Sequence, residues 1–141
     1  MNELIIIIIT GILGATLTYF ISHNVKQGPV RSSALLSLLV GLFFYLFPEV
    51  LNPYLTKNIP IVFIGASFIG MVSSTTHRNY LSLVFAGTLF SLIYAHKNHI
   101  FEGFGGALGA LAFITLLASM GGLEIISKGN KKIKAYLKSR K

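Results

Sequence analysis

The sequence predicts an all-α integral membrane protein, a compact bundle of about five transmembrane helices, and three observations predict it. Hydrophobic residues make up 53% of the 141 and charged residues 11%, with a mean hydropathy of +0.72. Soluble domains carry about 25% charged residues, and one of this length has too little interior to hide such an apolar surplus. The apolar residues also fall in runs near the length needed to cross hydrocarbon, separated by short polar connections. Finally, no alternating pattern recurs, and an open sheet in lipid would leave its edge hydrogen bonds unmade.

The first run, LIIIIITGILGATLTYFIS (4–22), follows MNE. A secretory signal needs a basic flank and a small-residue cleavage site after a shorter core, so this segment is expected to be a retained helix. The second span, 32–47, is ended by Pro48, which cannot continue a helical ladder. The third is expected over 59–76, with Pro60 in the favoured first turn. A fourth covers 79–95 and a fifth 104–127. Behind this transmembrane domain, 1–127, lies a basic tail, 128–141. Within it Ile133, Tyr136 and Leu137 fall at i, i+3 and i+4 among lysines. The pattern fits either a short in-plane amphipathic helix or an unstructured basic tail.

Charge sets the expected orientation. Lys26 and Arg31, Arg78, and seven tail residues place ten basic groups on one side, whereas Lys57 and Lys97 lie on the other. Basic connections are retained in the cytoplasm, so the N-terminus is expected outside and the C-terminus inside, in a membrane such as the bacterial inner membrane. Lys131, Lys132, Lys134, Lys138 and Arg140 are the candidate contacts to anionic headgroups. No stacking or groove-reading motif accompanies them, so nucleic acid is not an expected partner.

Small residues recur every fourth position and therefore share a helix face. The stripes are Gly11-Ala15 and Gly14-Thr18, Ser33-Ser37-Gly41, Ala66-Gly70-Ser74, Gly87-Ser91-Ala95, and Gly105-Gly109 beside Gly106-Ala110. In lipid, helices associate where small side chains let backbones approach. A longer phrase also repeats: Phe63-x-Gly65-Ala66 returns as Phe104-x-Gly106-Ala107, and Gly41-x-x-Phe44-x-Leu46 as Gly87-x-x-Phe90-x-Leu92. These matches raise a duplicated two-helix unit, in which spans two and three correspond to spans four and five.

Candidate chemistry is sparse. Cysteine is absent, so thiol catalysis and disulfides are excluded. No Asp, Glu, Lys, Arg or His falls in the middle of a span, which argues against proton-coupled transport and membrane hydrolysis. Glu124 lies near the end of span five with Lys128 at i+4, a spacing suited to surface pairing. His96, His99 and Glu102, at i, i+3 and i+6, are weak metal-ligand candidates; no resident metal or cofactor is expected. What remains is hydroxyls, including Thr16, Thr18, Ser37, Ser67, Ser91, Thr88, Thr115 and Ser119, together with glycines and aromatic rings. Such groups either line a narrow path or form interhelical hydrogen bonds. The candidate permeation or packing residues are Gly41, Gly65, Ser67, Gly70, Gly87, Ser91, Gly103, Gly105, Gly106 and Gly109. The expected function is an oligomeric channel or carrier, not an enzyme, for a small neutral or weakly hydrated solute or a lipid. The alternative is a non-catalytic subunit or scaffold of a larger membrane complex.

Overall fold

The computed structural model describes residues 2–72, 80–96 and 106–138, the side chains of Ser127 and of 130–138 aside. Among these residues the chain forms five α-helices: α1 (Asn2–Asn24), α2 (Pro29–Leu46), α3 (Pro53–Gly70), α4 (Tyr80–His96) and α5 (Ala107–Lys138).

Local chemistry explains the boundaries. Glu3 sits in the first turn of α1, where a carboxylate complements the positive end of the helix dipole. The chain reverses after Asn24 through Lys26 (φ 57°) and Gly28 (φ 82°). Glycine tolerates that left-handed region at no steric cost. Pro29 then occupies the first turn of α2, where its missing N–H costs nothing. Both the amide and the hydroxyl of Ser32 donate to the Gly28 carbonyl, at 3.1 and 2.7 Å. At the far end Pro48 follows the last turn of α2, as expected.

The start of α3 is a correction. The expected first turn at Pro60 lies inside the helix, which begins at Pro53. The Asn52 side chain decides this, because its Oδ1 accepts from the Leu55 amide at 2.9 Å and caps the helix before a first-turn proline. Pro60 therefore sits where its absent N–H leaves the Thr56 carbonyl without its helical donor. The helix closes at Gly70, and the amides of Met71 and Val72 donate back three residues, to the Phe68 and Ile69 carbonyls, each at 3.3 Å. The rest of the expected third span, 73–76, lies outside the described residues.

Helix α5 runs unbroken through the expected boundary between residues 127 and 128, as far as Lys138. Three helices are long and apolar enough to cross a membrane, by length and composition: α1, α2 and the Ala107–Ile126 part of α5. Helix α4 is apolar but has 17 residues. The first turns of α3 carry Thr56, Lys57 and Asn58, which shorten its apolar stretch.

Helix α3 is the hub and packs against all four others. It forms the core with α1 and α4; α2 leans on α1 and α3, and α5 leans on α3 and α4. Directions follow from paired residues. Gly14 meets Phe63 and Ala66 while Gly70 meets Ala15 and Thr18, so α1 and α3 run parallel. Ile7 meets Ser91 and Tyr19 meets Tyr80, so α4 is antiparallel to α1. Core side chains include Ile7, Val62, Ala66, Ile69, Leu83, Ala86 and Phe90, all essentially inaccessible. The outer surfaces of α2 and α5 remain apolar and exposed, with Leu38, Leu39, Leu42 and Phe43 on the first and Phe113, Ile114 and Leu117 on the second. Such a surface is compatible with a membrane location.

Two substitutions test the position of the α3 start. Asn52→Ala is expected to lower stability by about 1 kcal/mol through loss of the cap. Pro60→Ala is expected to raise stability or leave it unchanged, because it returns a backbone donor to a helix interior. Thermal unfolding in detergent, followed by far-UV circular dichroism, distinguishes this from a first-turn proline, whose replacement would not help.

Candidate functional site: the three-helix crossing

The small residues converge where α1 crosses α3 and α4. On α4, Gly87 faces the backbone of Gly11, and a Cβ placed there would lie 2.8 Å from the Gly11 carbonyl oxygen. The relation is mutual, since a Cβ on Gly11 would lie 2.9 Å from the Gly87 oxygen and run into the Ser91 hydroxyl. On α3, Gly70 sits beneath Ala15, Thr18 and Tyr19 of α1, and a Cβ there would be 2.7 Å from that of Thr18. Gly14 comes similarly close to Phe63 and Ala66. Gly65 opens a slot into which the Phe90 ring of α4 inserts, leaving that ring fully buried. Real Cβ atoms do not approach backbone as closely as they would at Gly11, Gly70 and Gly87, so these three positions require glycine for reasons of space; at Gly14 a neighbour would have to give slightly, and at Gly65 the Phe90 ring would have to move.

Hydroxyls lace the same contacts. Ser91 Oγ donates across to the Ile7 carbonyl at 3.1 Å, using the lone pair left free by the α1 ladder. Between α2 and α3, the Ser33 and Ser67 hydroxyls lie 2.7 Å apart, and Ser67 Oγ donates to the Ile64 carbonyl at 2.7 Å. The order Ser33 to Ser67 to Ile64 satisfies both donors. Ser37 reaches Ser67 at 3.5 Å. The other candidate hydroxyls turn back onto their own helices: Thr16 to Ile12, Thr88 to Val84, Thr115 to Leu111 and Ser119 to Leu116. Thr18 Oγ1 is buried and has no partner among the described residues. Apart from tyrosines, the buried polar side chains among the described residues are all serine or threonine. The crossing therefore carries hydrogen bonds and close backbone contacts, not charge.

Polar links also tie one end of the bundle. Asn52 Nδ2 donates to Glu3 Oε1 at 2.5 Å, joining the start of α1 to the α3 cap. Tyr94 Oη donates to Asn58 Oδ1 at 2.9 Å, and Asn58 Nδ2 donates to the Tyr54 carbonyl at 2.7 Å. Sequence reasoning missed this group. The available signal was Asn52-Pro53, a cap residue followed by a first-turn proline.

The sequence candidates divide sharply. Gly65, Ser67, Gly70, Gly87 and Ser91 meet at helix contacts. Gly41, Gly106 and Gly109 do not, since a Cβ added at any of them would meet nothing within 4 Å among the described residues. The repeated phrase thus lies in opposite surroundings, with Gly65 filled by a ring and its counterpart Gly106 open, and Gly87 packed where Gly41 is open. Gly103, Gly105, His99 and Glu102 lie outside the described residues. His96 is exposed, and its Nδ1–H donates to the Leu92 carbonyl at 2.8 Å. Among the described residues no three potential metal ligands come together. Glu124 and Lys128 form the expected surface pair at 2.8 Å, and the neighbouring carboxylate holds the Lys128 ammonium above its usual value. The side chains of Lys131, Lys132, Lys134 and Lys138, and all of Arg140, also lie outside what is described.

Comparison with protein-family models, with curated proteins and with solved structures gives no match.

The two classes of glycine predict opposite responses to a methyl group. Gly70→Ala and Gly87→Ala are expected to destabilise, because a backbone must move. Gly41→Ala and Gly109→Ala are expected to be neutral or to stabilise by up to about 1 kcal/mol from helix propensity. Phe90→Ala should cost about 3–5 kcal/mol by emptying the Gly65 slot, and Ser91→Ala only about 0.6 kcal/mol. Unfolding of each variant in one detergent gives the ranking.

Proposed function

We propose that this chain is an integral membrane protein that works as a non-catalytic subunit of a membrane assembly, with α2 and α5 as its docking faces. One observation carries the reading. Glycines at the α1–α3–α4 crossing are consumed by contacts within the chain, whereas Gly41 on α2, Gly106 just before α5 and Gly109 in its first turn have open space above them among the described residues. Open small residues on apolar helices are the surfaces through which helices associate in lipid. The partner is a second copy or a larger membrane protein. The exposed apolar belts support the membrane location, and the ten-to-two distribution of basic residues supports an N-out, C-in orientation with the lysine-rich end at anionic headgroups.

A second reading is favoured by the serines of α2. In it, copies of the chain enclose a path for a small neutral or weakly hydrated solute or a lipid. Half-buried Ser37 lies one turn from open Gly41 and beside the Ser33–Ser67 pair. A path at α2, between copies, suits these residues better than one along Gly65 and Gly70, whose space is taken by Phe90 and by α1.

The mass of the purified protein in nanodiscs or detergent, read by light scattering, separates the outcomes. An oligomer or a stoichiometric partner is expected, and Gly41→Leu or Gly109→Leu should dissociate it without unfolding the chain. Solute flux from proteoliposomes that is lost with Gly41→Leu selects the second reading. A folded, non-conducting monomer overturns both.

A further inference from the structure

The continuity of α5 raises a mechanical question about its basic end. The helix leaves the bundle near its middle: Leu111, Ala112, Thr115 and Ser119 are buried, whereas Gly121 and 124–126 are exposed. The membrane-competent stretch ends at Ile126, yet the helix continues to Lys138. At 1.5 Å per residue, a straight continuation carries Ile133 about 10 Å and Leu137 about 16 Å beyond the apolar stretch. The headgroup layer on each side is only about 5–7 Å deep. An upright helix would hold Ile133, Tyr136 and Leu137 in water and Lys138 more than a Debye length of about 8 Å beyond the headgroup layer, whereas Lys131 and Lys132 would stand near its outer edge. An upright helix thus separates the apolar trio and the last lysine of the segment from the surface that suits them.

Only one position in this stretch offers a bend at little cost. The Glu124–Lys128 pair, 2.8 Å apart, braces the turn that leads out of the apolar segment. Gly129 follows immediately, and nothing among the described residues lies within 4 Å of the place a side chain would occupy. Glycine is about 1 kcal/mol worse than alanine in a helix, and at this level water replaces any backbone bond that opens. Gly121 and Gly122 are also open, but a bend there would expose backbone groups to hydrocarbon.

We infer that Gly129 is a hinge on which the 131–138 segment folds from the helix axis onto an anionic headgroup surface. This rests on the membrane reading above and adds a regulation to it: the basic end stands off a neutral leaflet and lies down on a charged one. Lying down brings the lysines to the phosphates and the apolar trio to the acyl boundary. The chain contains no tryptophan, so Tyr136→Trp in the full-length protein is a sole fluorescent reporter. It is reconstituted in zwitterionic vesicles and in vesicles with about one-third anionic lipid, each with and without bromine-labelled acyl chains. The expected result is blue-shifted, bromine-quenched emission in anionic vesicles only, weakened by salt. Gly129→Ala should lower the docked-to-upright ratio about fivefold, the factor equivalent to the propensity difference, whereas Gly129→Pro should preserve docking. Equal emission in the two compositions, with the protein floating in both, overturns the inference while leaving the membrane reading intact. So does a response to soluble polyglutamate with none to anionic lipid, which would assign the segment to an acidic protein. Equal docking of Gly129→Ala and the parent overturns the hinge. Failure to float with vesicles of either kind overturns the membrane reading and this inference with it.

Discussion

Backbone against backbone is the interaction on which this fold depends. Where α1 crosses α3 and α4, the contacting groups at Gly11, Gly14, Gly70 and Gly87 are main-chain atoms, Cβ carbons and the short Ser91 hydroxyl, not long side chains. Dispersion gains at such contacts are small per atom pair, but they accumulate over a whole crossing. Each glycine costs about 1 kcal/mol of helix propensity, and the close approach offsets it by bringing two helices into continuous contact. The Ser91–Ile7 hydrogen bond then acts as a registration point, because it forms only when α1 and α4 are at the right depth relative to each other.

The position of α3 follows from this crossing. Its apolar half, from Ile59 to Gly70, is surrounded by neighbours and needs little outward-facing apolar surface. Its first turns carry Lys57 and two asparagines, of which the Asn52 cap links to Glu3 and Asn58 to Tyr94 at one end of the bundle. That end is held by directional polar bonds, and the crossing by shape. The Phe90 ring in the Gly65 slot connects the two regimes, since Tyr94, one turn further along α4, stacks near the same ring while bonding Asn58.

The periphery obeys a different rule. Helices α2 and α5 each touch two neighbours and do not touch each other. Gly41 and Gly109 therefore meet no other helix among the described residues, and Leu38, Leu39, Leu42 and Phe43 of α2 and Phe113, Ile114 and Leu117 of α5 face outward. The same residue type thus lies in two settings: glycine inside the crossing admits a neighbour's backbone, and glycine on the outer helices leaves a shallow recess among the described residues. That division underlies the proposed role as a subunit of an assembly.

Composition and hydrophobic runs determined the all-helical class, three of the five helices to within a few residues at both ends together with the start of α5, and the surface pairing of Glu124 with Lys128. They do so because burial of apolar surface, helix periodicity and i, i+4 contact are properties of neighbouring residues. The start of α3 was legible only in part. Pro53 and Pro60 have the same first-turn preference, and the Asn52 cap selects between them through a local bond that periodicity does not register. The candidate site was half legible. A stripe of small residues is identical in sequence whether it faces a backbone, as at Gly70 and Gly87, or open space, as at Gly41 and Gly109. Which it faces is decided by long-range pairing of helices. That pairing depends on the depth and rotation of α1 against residues some fifty to eighty positions away, a relation that no local spacing encodes.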